Sequence, residues 1–78
     1  MTPTERGYES QRLLNNEVLK DAIHGIRDNL VSKLEASAIG DRDLHHEIAL
    51  SLQILVNLQR QLHKWIADGQ LEESKSKR

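Results

Sequence analysis

Apolar residues recur every three or four positions along most of the chain, which is the spacing of amphipathic α-helices. Caps and breakers divide this pattern into three predicted helices. The segment Thr2-Pro3-Thr4-Glu5 has the form of a capping box with proline at the first helical position, and Asn16 is a good cap for a second helix. The predicted helices cover residues 3–14, 17–38 and 42–68 of a single domain, residues 1–69, followed by a flexible polar tail, residues 70–78.

Two glycines are predicted to end the longer helices. Gly40 is the natural left-handed stop of the second helix, Asp41 or Asp43 caps the third helix, and Gly69 ends it. Because the connection around Gly40 is short, we expect the second and third helices to form an antiparallel hairpin. The first helix folds against this hairpin or swings free.

The two long helices carry apolar stripes of unequal width. At 100° per residue, the stripe of the second helix covers about 120° and that of the third about 200°. In the third helix Ile48, Leu55 and Leu62 are seven residues apart, which is coiled-coil spacing. One neighbouring helix cannot bury so wide an arc, so either the first helix covers the surplus or a second copy of the chain does. The predicted fold is therefore all-α and assembles into an oligomeric helical bundle, whose interface residues are Leu50, Ile54, Leu55, Leu58, Leu62, Trp65 and Ile66.

Composition agrees with a small helical protein and limits its chemistry. The 78 residues include no cysteine, so neither a disulfide nor a thiolate metal site is available. Tyr8 and Trp65 are the only aromatic residues, which disfavours β-structure. No apolar run has the length of a membrane span or the form of a signal peptide, and we expect a soluble, cytoplasmic protein.

No motif predicts catalysis or metal binding. His45 and His46 are adjacent and point about 100° apart on a helix, so they cannot share one metal ion. Acidic pairs lie in the first turns of helices, where carboxylates favour the helix dipole. The four glycines are scattered and form no phosphate-binding loop. We predict no catalytic residue, no cofactor and no metal site.

Nucleic-acid binding is a second hypothesis. The 11 basic and 12 acidic residues give a formal charge of -1, and the pI of about 6.4 is low for a dedicated DNA-binding protein. Binding is therefore not favoured, although basic side chains are available to meet phosphates. The candidate phosphate contacts are Arg60, Lys64, Lys75, Lys77 and Arg78.

Several segments resemble a known group of proteins. These segments are the pair Arg6-Gly7, the run Leu13-Leu14-Asn15-Asn16-Glu17-Val18-Leu19-Lys20, a leucine-rich third helix and a closing Ala67-Asp68-Gly69-Gln70. They are similar to segments of small all-helical proteins of tailed bacteriophages, which are encoded beside portal, capsid and packaging genes. The resemblance covers most of residues 6–71. It implies a non-enzymatic role in particle assembly or DNA packaging, in the host cytoplasm or the virion, with other phage structural proteins as partners.

The sequence supports two functions and leaves a third open. The favoured one is a non-enzymatic, self-associating structural or adaptor protein of a phage particle. The alternative is a small DNA-binding packaging module that resembles a terminase small subunit. An inhibitor of a host enzyme is the third, because such a protein needs only a suitable surface.

Overall fold

The chain folds into three α-helices. A computed structural model describes the backbone of residues 1–76 and the side chains of residues 1–75. Helix α1 covers Pro3–Leu14, α2 covers Glu17–Ala36 and α3 covers Arg42–Ser76. Helix makes up 88% of this described part of the chain, which contains no strand. The prediction of an all-α fold is confirmed.

Short polar side chains begin each helix, because the first amides of a helix lack partners within it. Thr2 Oγ1, Asn16 Oδ1 and Asp41 Oδ1 each accept a hydrogen bond from the amide three residues further along, at 3.1, 3.0 and 3.2 Å. The predicted caps Thr2 and Asn16 are confirmed. Of the two candidates for α3, the cap is Asp41, and Asp43 lies in the first turn.

The first two helices lie one after the other along α3 and run in the opposite direction to it. Gly7 of α1 touches Gly69 near the end of α3, whereas Arg27 Nη2 of α2 donates to Gln59 Oε1 nearer its middle, at 3.2 Å. The 35 residues of α3 span about 52 Å at 1.5 Å per residue. The described chain measures 58 × 23 × 16 Å, so α3 runs through nearly its whole length.

The core is a single row of apolar side chains along α3. Ile48, Leu55 and Leu62 are buried there, together with Ile23 of α2, and each is 6% exposed or less. Ile48, Leu55 and Leu62 have the predicted coiled-coil spacing of seven residues, and they form the buried seam of α3. Because the core is so narrow, most other apolar side chains stay partly accessible to water.

The connection between α2 and α3 differs from the prediction. Helix α2 ends at Ala36 rather than near residue 38, and Gly40 is not a left-handed stop, since no described residue has a positive φ angle. Ser37 ends the helix instead. Its amide and its Oγ both donate to the carbonyl of Leu34, at 3.2 and 2.6 Å. The Ser37 side chain therefore pairs a carbonyl of the last turn of α2. At a helix end with a left-handed glycine, backbone amides after the helix pair such carbonyls instead.

The predicted end of α3 at Gly69 is also wrong, because the helix continues to Ser76. The flexible tail predicted for residues 70–78 is helical as far as Ser76. Lys77 and Arg78 lie outside the described residues. A glycine inside a helix costs roughly 0.5–1 kcal/mol relative to alanine, so a reason for Gly69 must be sought in its contacts.

That reason is the crossing of α1 over α3, where Gly7 and Gly69 are both buried. A Cβ atom placed on Gly69 would lie 3.0 Å from the carbonyl oxygen of Pro3 and 3.1 Å from Gly7 Cα. A Cβ atom on Gly7 would lie 3.0 Å from the carbonyl oxygen of Trp65. The two backbones touch, and neither glycine has room for a side chain.

We expect Gly69→Val to lower the free energy of unfolding by about 2 kcal/mol, because overpacking at a backbone contact forces the helices apart. Gly25→Val is the matched control. Gly25 also lies inside a helix, but nothing stands within 4 Å of its built Cβ atom, so its substitution should change stability by less than about 0.5 kcal/mol. Urea unfolding followed by circular dichroism measures both. Equal effects would show that the crossing contributes nothing.

Candidate interface on the third helix

The seven predicted interface residues separate into three groups. Leu55 and Leu62 are 6% and 5% exposed and belong to the core of the single chain. The chain's own helices cover them, so their assignment to an interface between copies is corrected. Trp65 and Ile66 are half-buried. The three that stay exposed, by 45%, 69% and 47%, are Leu50, Ile54 and Leu58.

Leu50, Ile54 and Leu58 form a continuous apolar line, here called the α3 stripe. Their spacing of four residues keeps them on one side of the helix, over about 12 Å. The Arg27–Gln59 hydrogen bond sets the register between the antiparallel helices α2 and α3. Ile26 precedes Arg27 on α2, and Leu58 precedes Gln59 on α3. Both therefore face the same side of the pair formed by α2 and α3. Ile26, which is 50% exposed, therefore extends the apolar surface of the stripe onto α2.

The first helix explains why the stripe stops where it does. The Arg6 guanidinium lies 4.7 Å from the centre of the Trp65 ring, within the range of a cation–π contact. Arg6 Nε is buried and has no hydrogen-bond partner in the described part of the chain. The sequence did not predict the contact of Arg6 with Trp65. The available signal is the position of Arg6 beside Gly7, because a residue next to a close helix crossing can reach the other helix.

A hydrogen bond also joins α1 to α3 across their exposed edge. The Tyr8 hydroxyl donates to Glu73 Oε2 at 2.9 Å. This bond, together with the negative charge of Glu73, raises the pKa of Tyr8 above its ordinary value, because the protonated phenol is the form that donates. Tyr8, which the sequence left open as a partner anchor, thus contacts the chain's own third helix.

The candidate phosphate contacts are exposed but form no enclosed site. Arg60, Lys64 and Lys75 are accessible to solvent, and none of them takes part in an ion pair among the described residues. At 100° per residue they lie with Arg42 in an arc of about 60° on the outer side of α3. Lys77 and Arg78 lie outside the described residues.

The histidines do not assemble into a reactive centre. Ser37 Oγ donates to a carbonyl and so accepts from His45 Nε2, at 2.7 Å, which ties α2 to the first turns of α3. Over the described residues, no group of three histidine, aspartate or glutamate side chains could hold a metal ion. None of the described helices combines the length and apolar character needed to cross a membrane.

Tyr8 is the only tyrosine, so its titration by ultraviolet absorbance reports directly on the α1–α3 contact. We expect Glu73→Gln to lower the pKa of Tyr8 toward its ordinary value, whereas Glu72→Gln, the matched control one residue earlier, should leave it raised. Since the folded pKa is raised, the contribution of this bond to stability is complete below the ordinary phenol range and lost as the pH rises through the raised pKa. An ordinary pKa in the unmutated chain would contradict the docked position of α1.

Two surfaces of α3 thus remain for a partner: the apolar α3 stripe and the basic arc that includes Arg60 and Lys64. They lie on adjacent sides of α3, whose third side is covered by α1 and α2. Comparison of the chain with protein-family models, with curated proteins and with solved structures found no match.

Proposed function

We propose that this chain is a non-enzymatic, self-associating helical protein with a structural or adaptor role. One observation carries the proposal: three large apolar side chains, Leu50, Ile54 and Leu58, stand exposed in a row on one side of α3. Monomeric soluble proteins rarely expose large contiguous apolar patches, and the patches that they do expose often serve in binding. A second copy of the chain supplies a surface of matching chemistry.

Association through the α3 stripe forms a four-helix bundle. In each copy α2 and α3 are arranged as a helical hairpin, and Ile26 of α2 lies on the same side as the stripe. Two such hairpins bring four helices around a common apolar centre, an arrangement in which short-connected antiparallel helices bury their open faces. The narrow core of the single chain then becomes a wider core shared by two chains.

The role that we assign to this assembly is in the particle of a tailed bacteriophage. Its basis is the resemblance of most of residues 6–71 to small phage proteins encoded with portal, capsid and packaging genes. Other structural proteins of the particle are the proposed partners of the assembled bundle. Such a role requires a rigid surface rather than a reactive centre, which agrees with the isolated histidines and dispersed acids of the described chain.

We expect Ile54→Glu to convert the assembly to single chains, because it places a charge at the centre of a buried apolar contact. Ile39→Glu is the matched control. Ile39 is 97% exposed at the turn between α2 and α3, away from the α3 stripe, and its substitution should leave the assembly intact. Light scattering on a sizing column measures the mass of each variant at micromolar concentration.

The unmutated chain should elute with the mass of at least two chains. A mass of one 8.9 kDa chain would overturn the proposal. Loss of assembly in both variants would contradict the assignment of the interface to the α3 stripe. Circular dichroism confirms that each variant keeps its helix content, which the exposure of Ile54 and Ile39 favours.

A DNA-binding packaging module is the alternative function, supported by the basic arc of α3. Arg42, Arg60, Lys64 and Lys75 lie on one side of the helix, and no acidic residue of α3 falls within their arc of about 60°. Assembly of several copies would multiply weak phosphate contacts through effective concentration. A helical surface of this kind meets the DNA backbone without reading its sequence.

Binding to duplex DNA at several salt concentrations tests this alternative. A steep fall of log K with log salt, reduced by about one unit of slope per substituted basic residue in Arg60→Gln and Lys64→Gln, would support it. Gln53→Ala on the same side of α3 is the neutral control. Absence of binding at low salt by the assembled protein would rule it out.

A further inference from the structure

The exposed side of α3 is symmetric about Ile54. Offsets of four, seven and eleven residues return to within about 40° of the starting direction on an α-helix. Residues at these offsets before and after Ile54 therefore lie on the same side as the α3 stripe. From the centre outward, the residues at equal distance from Ile54 are Leu50 and Leu58, then Glu47 and Gln61, then Asp43 and Trp65.

We propose that the second copy packs on this side antiparallel to the first, about a two-fold axis at Ile54. The inference rests on the proposed self-association and specifies its geometry. In this arrangement Ile54 meets Ile54 of the second copy, and Leu50 meets Leu58 of the second copy. Equal spacing on the two sides of the axis lets every apolar residue of the stripe meet another one, as an isologous interface requires.

Charge complementarity favours this orientation. The Arg6 guanidinium, held 4.7 Å from the Trp65 ring, adds a positive charge at the position eleven residues after Ile54. Asp43 lies eleven residues before Ile54, is exposed and has no ion-pair partner among the described residues. Antiparallel packing brings the carboxylate of Asp43 in one copy to the Arg6–Trp65 pair of the other, at both ends of the interface.

Parallel packing has the opposite electrostatic result. It sets Asp43 against Asp43, Glu47 against Glu47, and Arg6 against Arg6 of the second copy. Like charges placed together across an interface are unfavourable and select against that partner orientation. In the antiparallel arrangement Glu47 instead meets the neutral side chain of Gln61, with the cation Lys64 one turn further on.

Disulfide cross-linking distinguishes the two orientations cleanly, because the natural chain has no cysteine. The test variant is Glu47→Cys combined with Gln61→Cys. These positions are about 21 Å apart within one chain, too far for an internal disulfide, but they face each other in the antiparallel pair. The control is Glu47→Cys alone, whose thiols are also about 21 Å apart in the antiparallel pair and adjacent in a parallel one.

We expect the double variant to form a covalent dimer on oxidation and the single variant to stay largely uncross-linked. An efficient disulfide in the single variant, or none in the double variant of a dimeric protein, would overturn the antiparallel geometry and leave self-association standing. Ile54→Cys, which faces itself in both orientations, separates the two ideas. A monomeric mass together with no cross-link at this position would reject self-association itself.

The proposed ion pair has its own readout. Asp43→Asn should raise the dissociation constant of the dimer several-fold, with a smaller effect at high salt, since screening weakens the pair in the natural chain. Asp28→Asn, an exposed aspartate of α2, is the matched control and should leave the dissociation constant unchanged. Equal dissociation constants for all three proteins would show that Asp43 does not contact the Arg6–Trp65 pair.

Discussion

The contact on which the rest of this structure depends is the crossing of α1 over α3 at Gly7 and Gly69. Only the absence of two side chains lets the backbones approach until a Cβ atom on either glycine would lie about 3 Å from the opposite chain segment. This closeness brings Arg6 over Trp65 and Tyr8 to Glu73. A helix with little apolar surface of its own is thereby held against α3 by several weak contacts around one close approach.

Docking of α1 decides which part of the wide apolar face of α3 remains available. The first helix covers the region of Trp65, and α2 covers the seam that contains Ile48 and Leu55. Neither reaches the side of α3 that carries the exposed side chains of Leu50, Ile54 and Leu58. Our proposal therefore combines the two explanations for the apolar surface of α3 that α2 cannot bury: α1 covers one part of this surface, and a second copy of the chain covers the other.

Local features could be predicted from the sequence, whereas contacts between distant segments could not. The caps Thr2 and Asn16 depend on amides three residues away, and the seam depends on a spacing of seven residues along one helix. Gly69 was misread because the penalty of a helical glycine is local, whereas its compensation comes from α1, more than sixty residues away in the sequence. Leu55 and Leu62 were assigned to the interface because helical position alone does not say which neighbour covers an apolar residue.

The break between α1 and α2 at Asn15 and Asn16 has a consequence for how this chain tolerates change in length. If α1 and α2 were one continuous helix, Gly7 and Ile23 would lie about 160° apart around its axis, so they could not both face α3. The break resets this rotation. Insertion or deletion of a single residue there would change the direction in which α1 leaves α2 and remove Gly7 from its crossing, whereas a Cβ atom built on Gly40 meets nothing within 4 Å beyond its chain neighbours, so the second connection has no such close contact to keep. Related chains should therefore vary in length at the second connection and keep that of the first.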